Sequence, residues 1–467
     1  MERMSALDAE MFFAEQYRTP MHIASVTVLE GPAPAYEDLV AMVRARMMLI
    51  PRYLQKVVKV PLNLGRPVWA DDPHFQLDYH LRHTAVPPPG GPEEFRQVAD
   101  RVLALPLDMG KPPWELWCVE GLADGHWAII AKVHHCVVDG VAASDLMTVL
   151  FDLSPETPAE GAQVVPLRSP EPPPSALRLA FDGLRDSITG PLRQVPGIPA
   201  RILRGGGVRA VLGFSTGLPR SVERMAHHAP DSLPPAAGPH RSWVWTHADL
   251  DEVRRIRQVL GGTVNDIVLA AVTHGLRELL ASQGRLEAET VLRSLVPVSV
   301  RGADEHGVLD NKVSGLIASL PCGEPDALER LQLIREQMDD LKSTHQAVSA
   351  DALIKLAGAA PTMLSLSTRA ALSALRPLFQ VVTTNVPGPP FPLYVLGHRV
   401  LELYPYVPLA AGVAVSIGIF SYTGRLYFGV TADFDGPLDL EVLTKGIEAG
   451  FADLAARTEV SGGRGFS

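Results

Sequence analysis

The stretch AIIAKVHHCVVDG, residues 128–140, decides how the chain is to be read. An apolar run of β-type residues carries two adjacent histidines at its end, followed four residues later by Asp139 and Gly140. The run predicts a strand, on which neighbouring side chains point to opposite faces. Only one of His134 and His135 can then face a given cavity. Gly140 lets the backbone turn tightly into the next element, GVAASDLMTVLFDL, which is expected to be a helix.

Working outward, the first 150 residues alternate between the two periodicities. HIASVTVLEG and PPWELWCVEGL read as strands, and YEDLVAMVRARMML and EEFRQVADRVLALPLD as amphipathic helices. Residues 1–154 therefore form an α/β lobe. From 155 to 238 the chain becomes a connector, Pro-rich to about Pro174 and then Arg-rich. Arg178, Arg185, Arg193, Arg201, Arg204, Arg209 and Arg220 stand there among apolar residues against Asp182 and Asp186. Such a pattern fits either an interfacial helix on anionic lipid or a solvated interdomain connector.

A second α/β block, 239–460, has helices at HADLDEVRRIRQVLGG and TVNDIVLAAVTHGLRELLASQG, strands at VLRSLVPVSVR and NKVSGLIASLP, and a helix at DALERLQLIREQMDDLKSTH. A helical region at 350–376 and the strand FQVVTTNVPGPP follow, and 461–467 is a tail. The uncharged run Leu403–Gly424 is long enough to span a bilayer by count, but its prolines and glycines and the Thr-Gly step after VAVSIGIFSY favour a hairpin in a core.

The 467 residues carry 42 Lys and Arg against 52 Asp and Glu, a formal charge of -10. That balance disfavours nucleic acid, whose binding rests on cations meeting phosphates. Cys118, Cys136 and Cys322 form neither a disulfide framework nor a metal-ligand spacing, as expected in a reducing, cytoplasmic compartment. No HExxH or CxxC is present, so no metal is expected. A nucleophilic Cys136–His135 pair is disfavoured because adjacent strand residues diverge, and Cys136 reads as a small buried residue. A neutral imidazole can instead take a proton from an alcohol attacking a carbonyl carbon, which makes acyl transfer the reaction class.

HHCVVDG resembles the signature of CoA-dependent acyltransferases with the chloramphenicol acetyltransferase-like fold. With LDAEMFFAE (7–15), TPMHIASV (19–26), PPWELWCVEGL (112–122), NDIVLAAV (265–272), VPVSVR (296–301), NKVSGL (311–316) and TNVPGPPFPLYVLG (384–397), almost the whole chain resembles the bacterial wax ester synthase/acyl-CoA:diacylglycerol acyltransferases. Departures are Cys136 where Ala or Ser is usual, Pro113 in place of Leu, and Thr384 in place of Ser. They put chain-length selectivity in doubt, not the catalytic groups.

The resemblance implies two α/β lobes of one fold with a tunnel between them. Acyl-CoA enters as substrate, no cofactor is held permanently, and the acceptor is diacylglycerol or a long-chain alcohol. It implies His135 as base, with His134, Asp139 and Gly140 completing the motif, and Arg301 as the partner of Asp139. Asn265 is the candidate donor to the oxyanion, with a helix N-cap as its alternative role. Asn385 either lines the site or holds a turn, Cys136 is a possible lining residue, and Trp114 either packs core or lines an acyl channel. Peripheral attachment to an anionic membrane or lipid droplet is expected, and monomer and homodimer both remain open. Rival readings are a condensation-type enzyme using carrier-bound donors and a non-catalytic lipid-binding protein.

Overall fold

The computed structural model describes residues 2–15, 19–47, 50–137, 150–156, 175–183, 185, 233–236, 238–299, 313–343, 379–410 and 412–462. Its strands are β1 (Glu2–Arg3), β2 (His22–Leu29), β3 (Gln55–Val58), β4 (Val68–Asp71), β5 (Leu81–Ala85), β6 (Trp114–Glu120), β7 (Trp127–His134) and β8 (Arg241–Asp249). They continue as β9 (Leu292–Ser299), β10 (Val313–Leu320), β11 (Val381–Val386), β12 (Tyr394–Val395), β13 (His398–Tyr406), β14 (Val415–Tyr422) and β15 (Arg425–Asp433). The helices are α1 (Ala6–Ala14), α2 (Tyr36–Met47), α3 (Leu77–His80), α4 (Pro92–Ala104), α5 (Leu250–Leu260), α6 (Val264–Ser282), α7 (Ala327–Ser343) and α8 (Leu440–Gly462).

Two six-stranded mixed sheets carry the fold, in the orders β12-β13-β2-β7-β6-β5 and β10-β9-β11-β14-β15-β8. β7 lies inside the first sheet and every one of its residues is buried, as its apolar run requires. In the second, α6 packs along α8 so closely that a Cβ on Gly275 would stand 2.7 Å from Ile447 Cγ1 and from the Leu443 carbonyl. Leu269, Val272, Leu276 and Leu280 of α6 are fully buried, which makes it a core helix.

The sheets do not follow the two halves of the chain. Residues 394–406 fall within the block 239–460, yet β13 pairs antiparallel with β2 from Val400–Leu29 to Tyr406–Ala24 and completes the first sheet. Alternation identifies a strand but not its partner, so this crossing is invisible to periodicity. The crossing strand runs hard against the second sheet. The Pro405 carbonyl accepts the Trp243 indole N–H at 3.3 Å, and a Cβ on Gly429 would lie 1.7 Å from that carbonyl oxygen.

The Leu403–Gly424 run contains the end of β13 and all of β14, and no single helix among the described residues is long and apolar enough to cross a membrane. β14 and β15 form the expected hairpin, turning through Thr423 and Gly424 at φ 43° and 82°. Two positive φ values are what a two-residue hairpin turn needs. Among the strands that escape the pattern reading is β8, which extends through His247–Asp249, so α5 begins at Leu250, with the Asp249 carboxylate capping the Glu252 N–H. The 350–376 region, residues 141–149 of the expected helix after Gly140, and most of the connector lie outside the described residues.

Candidate active site

β7 ends at His134, and residues 135–137 form a turn. The two imidazoles are therefore separated by the end of the strand and not only by its alternation. His134 is fully buried. Its Nδ1 accepts the backbone N–H of Cys136 at 3.0 Å, which places its proton on Nε2. Nε2 lies 2.9 Å from Oε2 of Glu15, with the N–H off the ideal hydrogen-bond line, so the contact is chiefly electrostatic. Burial alone would raise the Glu15 pKa, but the contact with His134 and the N–H of Met21, 3.0 Å away, together hold it below the usual carboxylate value.

These contacts form a bracket around His135. Glu15 holds Met21 and His134, the Met21 carbonyl accepts the His135 N–H at 2.9 Å, and His134 holds Cys136 on the far side. His135 keeps partial solvent access, unlike its neighbour. Burial lowers its pKa, its own backbone carbonyl opposes the shift, and the nearby His134 adds to it. The ring is consequently un-ionised at neutral pH and able to accept a proton.

The second group of polar residues sits at the start of α6. Thr263 caps that helix and exchanges side-chain contacts with Asp266 in a capping box. Asn265 is therefore not the cap. Its Oδ1 receives a long, weak contact of 3.5 Å from Asn385 Nδ2 on β11, and among the described residues its own amide N–H groups have no partner. Both asparagines are half-buried.

A ladder of neighbours joins the two groups across the crossing strand. His134 pairs with His22 on β2, and the His22 ring stacks on Tyr406 with centroids 5.5 Å apart. Pro405 next to it abuts Gly418, whose Cβ would stand 3.0 Å from Pro405 Cγ, and Gly418 pairs with Thr384, the neighbour of Asn385. The crossing strand β13 thus links the strand that ends at His134 with the strand that carries Asn385.

Other candidates fall elsewhere. Trp114 is buried, donates its indole N–H to the Tyr53 carbonyl at 2.8 Å and stacks on His80 at 4.5 Å, so it packs core. Cys136 is buried, and burial pushes its thiol pKa well above the usual value, so only its backbone N–H serves the site. Asp139, Gly140 and Arg301 lie outside the described residues. His83, Cys118 and Glu120 bring possible metal-ligand atoms within 4.8 Å of one another on β5 and β6, at the opposite end of the first sheet from β13. There His83 pairs with Glu120 at 2.9 Å, and burial keeps the Cys118 thiol protonated, its pKa raised to about 12.

Two participants were not singled out from the sequence. Glu15 ends the LDAEMFFAE motif but carries no local sign of its partner. Lys132, fully buried, donates to the Val102 carbonyl at the end of α4 at 2.9 Å, and burial brings its pKa down to about 8. It fixes the helix end beside β7.

Residues 4–268 match the model of the wax ester synthase/diacylglycerol acyltransferase catalytic domain, and residues 309–455 that of the WS/DGAT C-terminal domain. A Mycobacterium tuberculosis protein described as a probable diacylglycerol O-acyltransferase, tgs1, is 32% identical over 475 residues, covering 98% of this chain and 96% of the relative. The wax ester synthase/diacylglycerol acyltransferase of Marinobacter aquaeolei VT8 superposes with a TM-score of 0.66 at 24% identity, covering 98% of this chain and 100% of that one. The starter condensation domain of rhizomide synthetase, solved as a mutant with C8-CoA and Leu-SNAC, shares the fold with a TM-score of 0.52 at 15% identity, over 98% and 94% of the two chains.

Proposed function

Because the chain belongs to the wax ester synthase/diacylglycerol acyltransferase family, we propose that it moves a fatty acyl group from acyl-CoA to diacylglycerol, giving triacylglycerol and free CoA. A long-chain alcohol is the second acceptor, giving a wax ester. The observation that carries the reaction class is the un-ionised ring of His135, a partly exposed residue bracketed at the end of β7 beside a fully buried His134.

His135 takes the proton of the acceptor hydroxyl as its oxygen attacks the thioester carbon. The tetrahedral intermediate collapses, the C–S bond breaks, and the departing thiolate recovers the proton from His135. The oxyanion needs a donor in place before the charge develops, and the free amide of Asn265 has the right chemistry. Asp139 and Arg301 complete the reading as a structural pair holding the turn after the histidines, and Gly140 admits that turn. Acyl-CoA and acceptor approach along the seam between the sheets, and the enzyme works at a membrane or droplet surface, where its acceptors reside.

Labelled palmitoyl-CoA supplied with diacylglycerol, hexadecanol or an amine, followed by thin-layer chromatography, tests the proposal. Ester from either alcohol supports it. Product with the amine alone would favour condensation-type chemistry.

A further inference from the structure

Three large apolar side chains stand in solvent on two segments that pack against each other: Leu62 is 88% exposed, Leu177 85% and Phe181 69%. Leu177 and Phe181, four residues apart on the helical segment 176–183, share one face. Leu179 on the other face is buried against Val60 and Val68, and the segment's Gly183 lies against the Leu64 backbone. The segment is thereby pinned to the loop that carries Leu62. Leu62 itself has φ 55°, a left-handed conformation that side-chain-bearing residues avoid, and it gains no packing in return.

The charges around this face are mostly of one sign. Lys59 and Arg66 flank Leu62 in its loop and Arg178 and Arg185 stand on the segment of Leu177 and Phe181, against Asp182, which lies 3.8 Å from Arg178, although the protein as a whole is acidic. The face also abuts the site. Lys59, three residues before Leu62, covers the Phe12 ring at 5.3 Å, and Phe12 meets the His134 ring edge-on at 6.5 Å.

We propose that Leu62, Leu177 and Phe181, with their basic rim, form the surface that docks the enzyme on an anionic lipid layer and presents the histidine end of the first sheet to acceptor molecules in that layer. This rests on the proposed acyl transfer to a lipid acceptor and adds where that acceptor is met. Apolar side chains burying into the headgroup boundary, with cations beside them, are the physical requirements of such a surface.

The test uses the full-length protein and its Leu62→Glu/Phe181→Glu and Arg178→Glu variants, floated with vesicles of equal parts phosphatidylcholine and phosphatidylglycerol. Because each side chain is already exposed, the exchanges leave the fold intact. The double variant should lose at least about tenfold in vesicle partitioning. It should lose the same factor in turnover of vesicle-embedded diacylglycerol, with turnover of detergent-dispersed diacylglycerol unchanged. Arg178→Glu should weaken binding to these vesicles and leave the weak binding to pure phosphatidylcholine as it was. Unchanged flotation of the double variant overturns the proposal. So does a wild type that ignores vesicles and whose dimer is split by the double variant, which would make the face a contact between two copies. Absence of turnover by the wild type in detergent would instead defeat the acyltransferase reading, which flotation does not measure.

Discussion

The carboxylate of Glu15 lies 2.9 Å from Nε2 of His134 while accepting the Met21 N–H, so one acidic group holds both the residue before His135 and the neighbouring segment whose carbonyl accepts the His135 N–H. Glu15→Gln keeps the shape and removes the charge. Interactions of this kind are worth about 1.5–3 kcal/mol, so kcat should fall roughly 10- to 150-fold. KM for acyl-CoA should hardly move, since Glu15 acts through another residue. A steady-state comparison of kcat with KM checks this; a change confined to KM would assign Glu15 to substrate binding.

His135→Ala should lower kcat by about 10²–10⁴-fold without unfolding the protein, the range expected for loss of a positioned base. Cys136→Ala should stay within a few-fold of wild type, and iodoacetamide should not inhibit, because the thiol is buried and protonated. Inactivation by the alkylating agent would reopen a thiol mechanism.

At the start of α6 the two neighbouring polar residues should separate by readout. Thr263→Ala removes the cap and should cost about 1 kcal/mol of stability. Asn265→Ala should leave the melting temperature unchanged and reduce kcat by about 10²–10³-fold if it donates to the oxyanion. Thermal melts alongside turnover distinguish them, and a stability loss at Asn265 with normal turnover would return it to a structural role.

Acid should destabilise the fold before it reaches ordinary carboxylate titration. Burial lowers the pKa of His80 to about 4 and that of His22 well below normal, so the unfolded chain binds protons that the native state refuses. The sign follows: stability is fully present above the unfolded value near 6.5 and is lost as the pH falls toward the folded value. His80 alone accounts for something on the order of 3 kcal/mol between about pH 6.5 and 4. Urea melts at pH 7.5 and pH 5 measure it, and His80→Phe, which retains an aromatic ring against Trp114, should flatten the dependence. Equal stability at both pH values would contradict the burial argument.

Gly429→Ala should be among the more damaging single-methyl additions, because Pro405 of the crossing strand occupies the space a Cβ would need. Overpacking of this kind costs about 1–3 kcal/mol, read as a lowered melting temperature. A neutral result would mean that β13 can shift away from β15.

What could be read from residue order was what is local. Alternation and apolar β-rich runs located β2, β6, β7 and β14, and the Thr-Gly step located the hairpin turn. The histidines were legible because they interrupt an apolar run. Glu15 was not, because its partner is 119 positions away and carboxylates at helix ends are commonplace. Nor was the pairing of β13 with β2, since a hydrophobic pattern carries no address for the strand it will meet. The assignment of Asn265 failed to resolve for another reason: Thr263, Asn265 and Asp266 can all cap a helix, and only coordinates reveal which of them does.

The strand at 398–406 has a consequence for how the chain comes into being. During synthesis the first sheet must wait, its β2 edge unpaired, until more than 400 residues have left the ribosome. An open edge of that length invites pairing with other chains, so yield in the cell should depend on holdase chaperones. A truncated gene ending at the connector should give insoluble protein and not a working half.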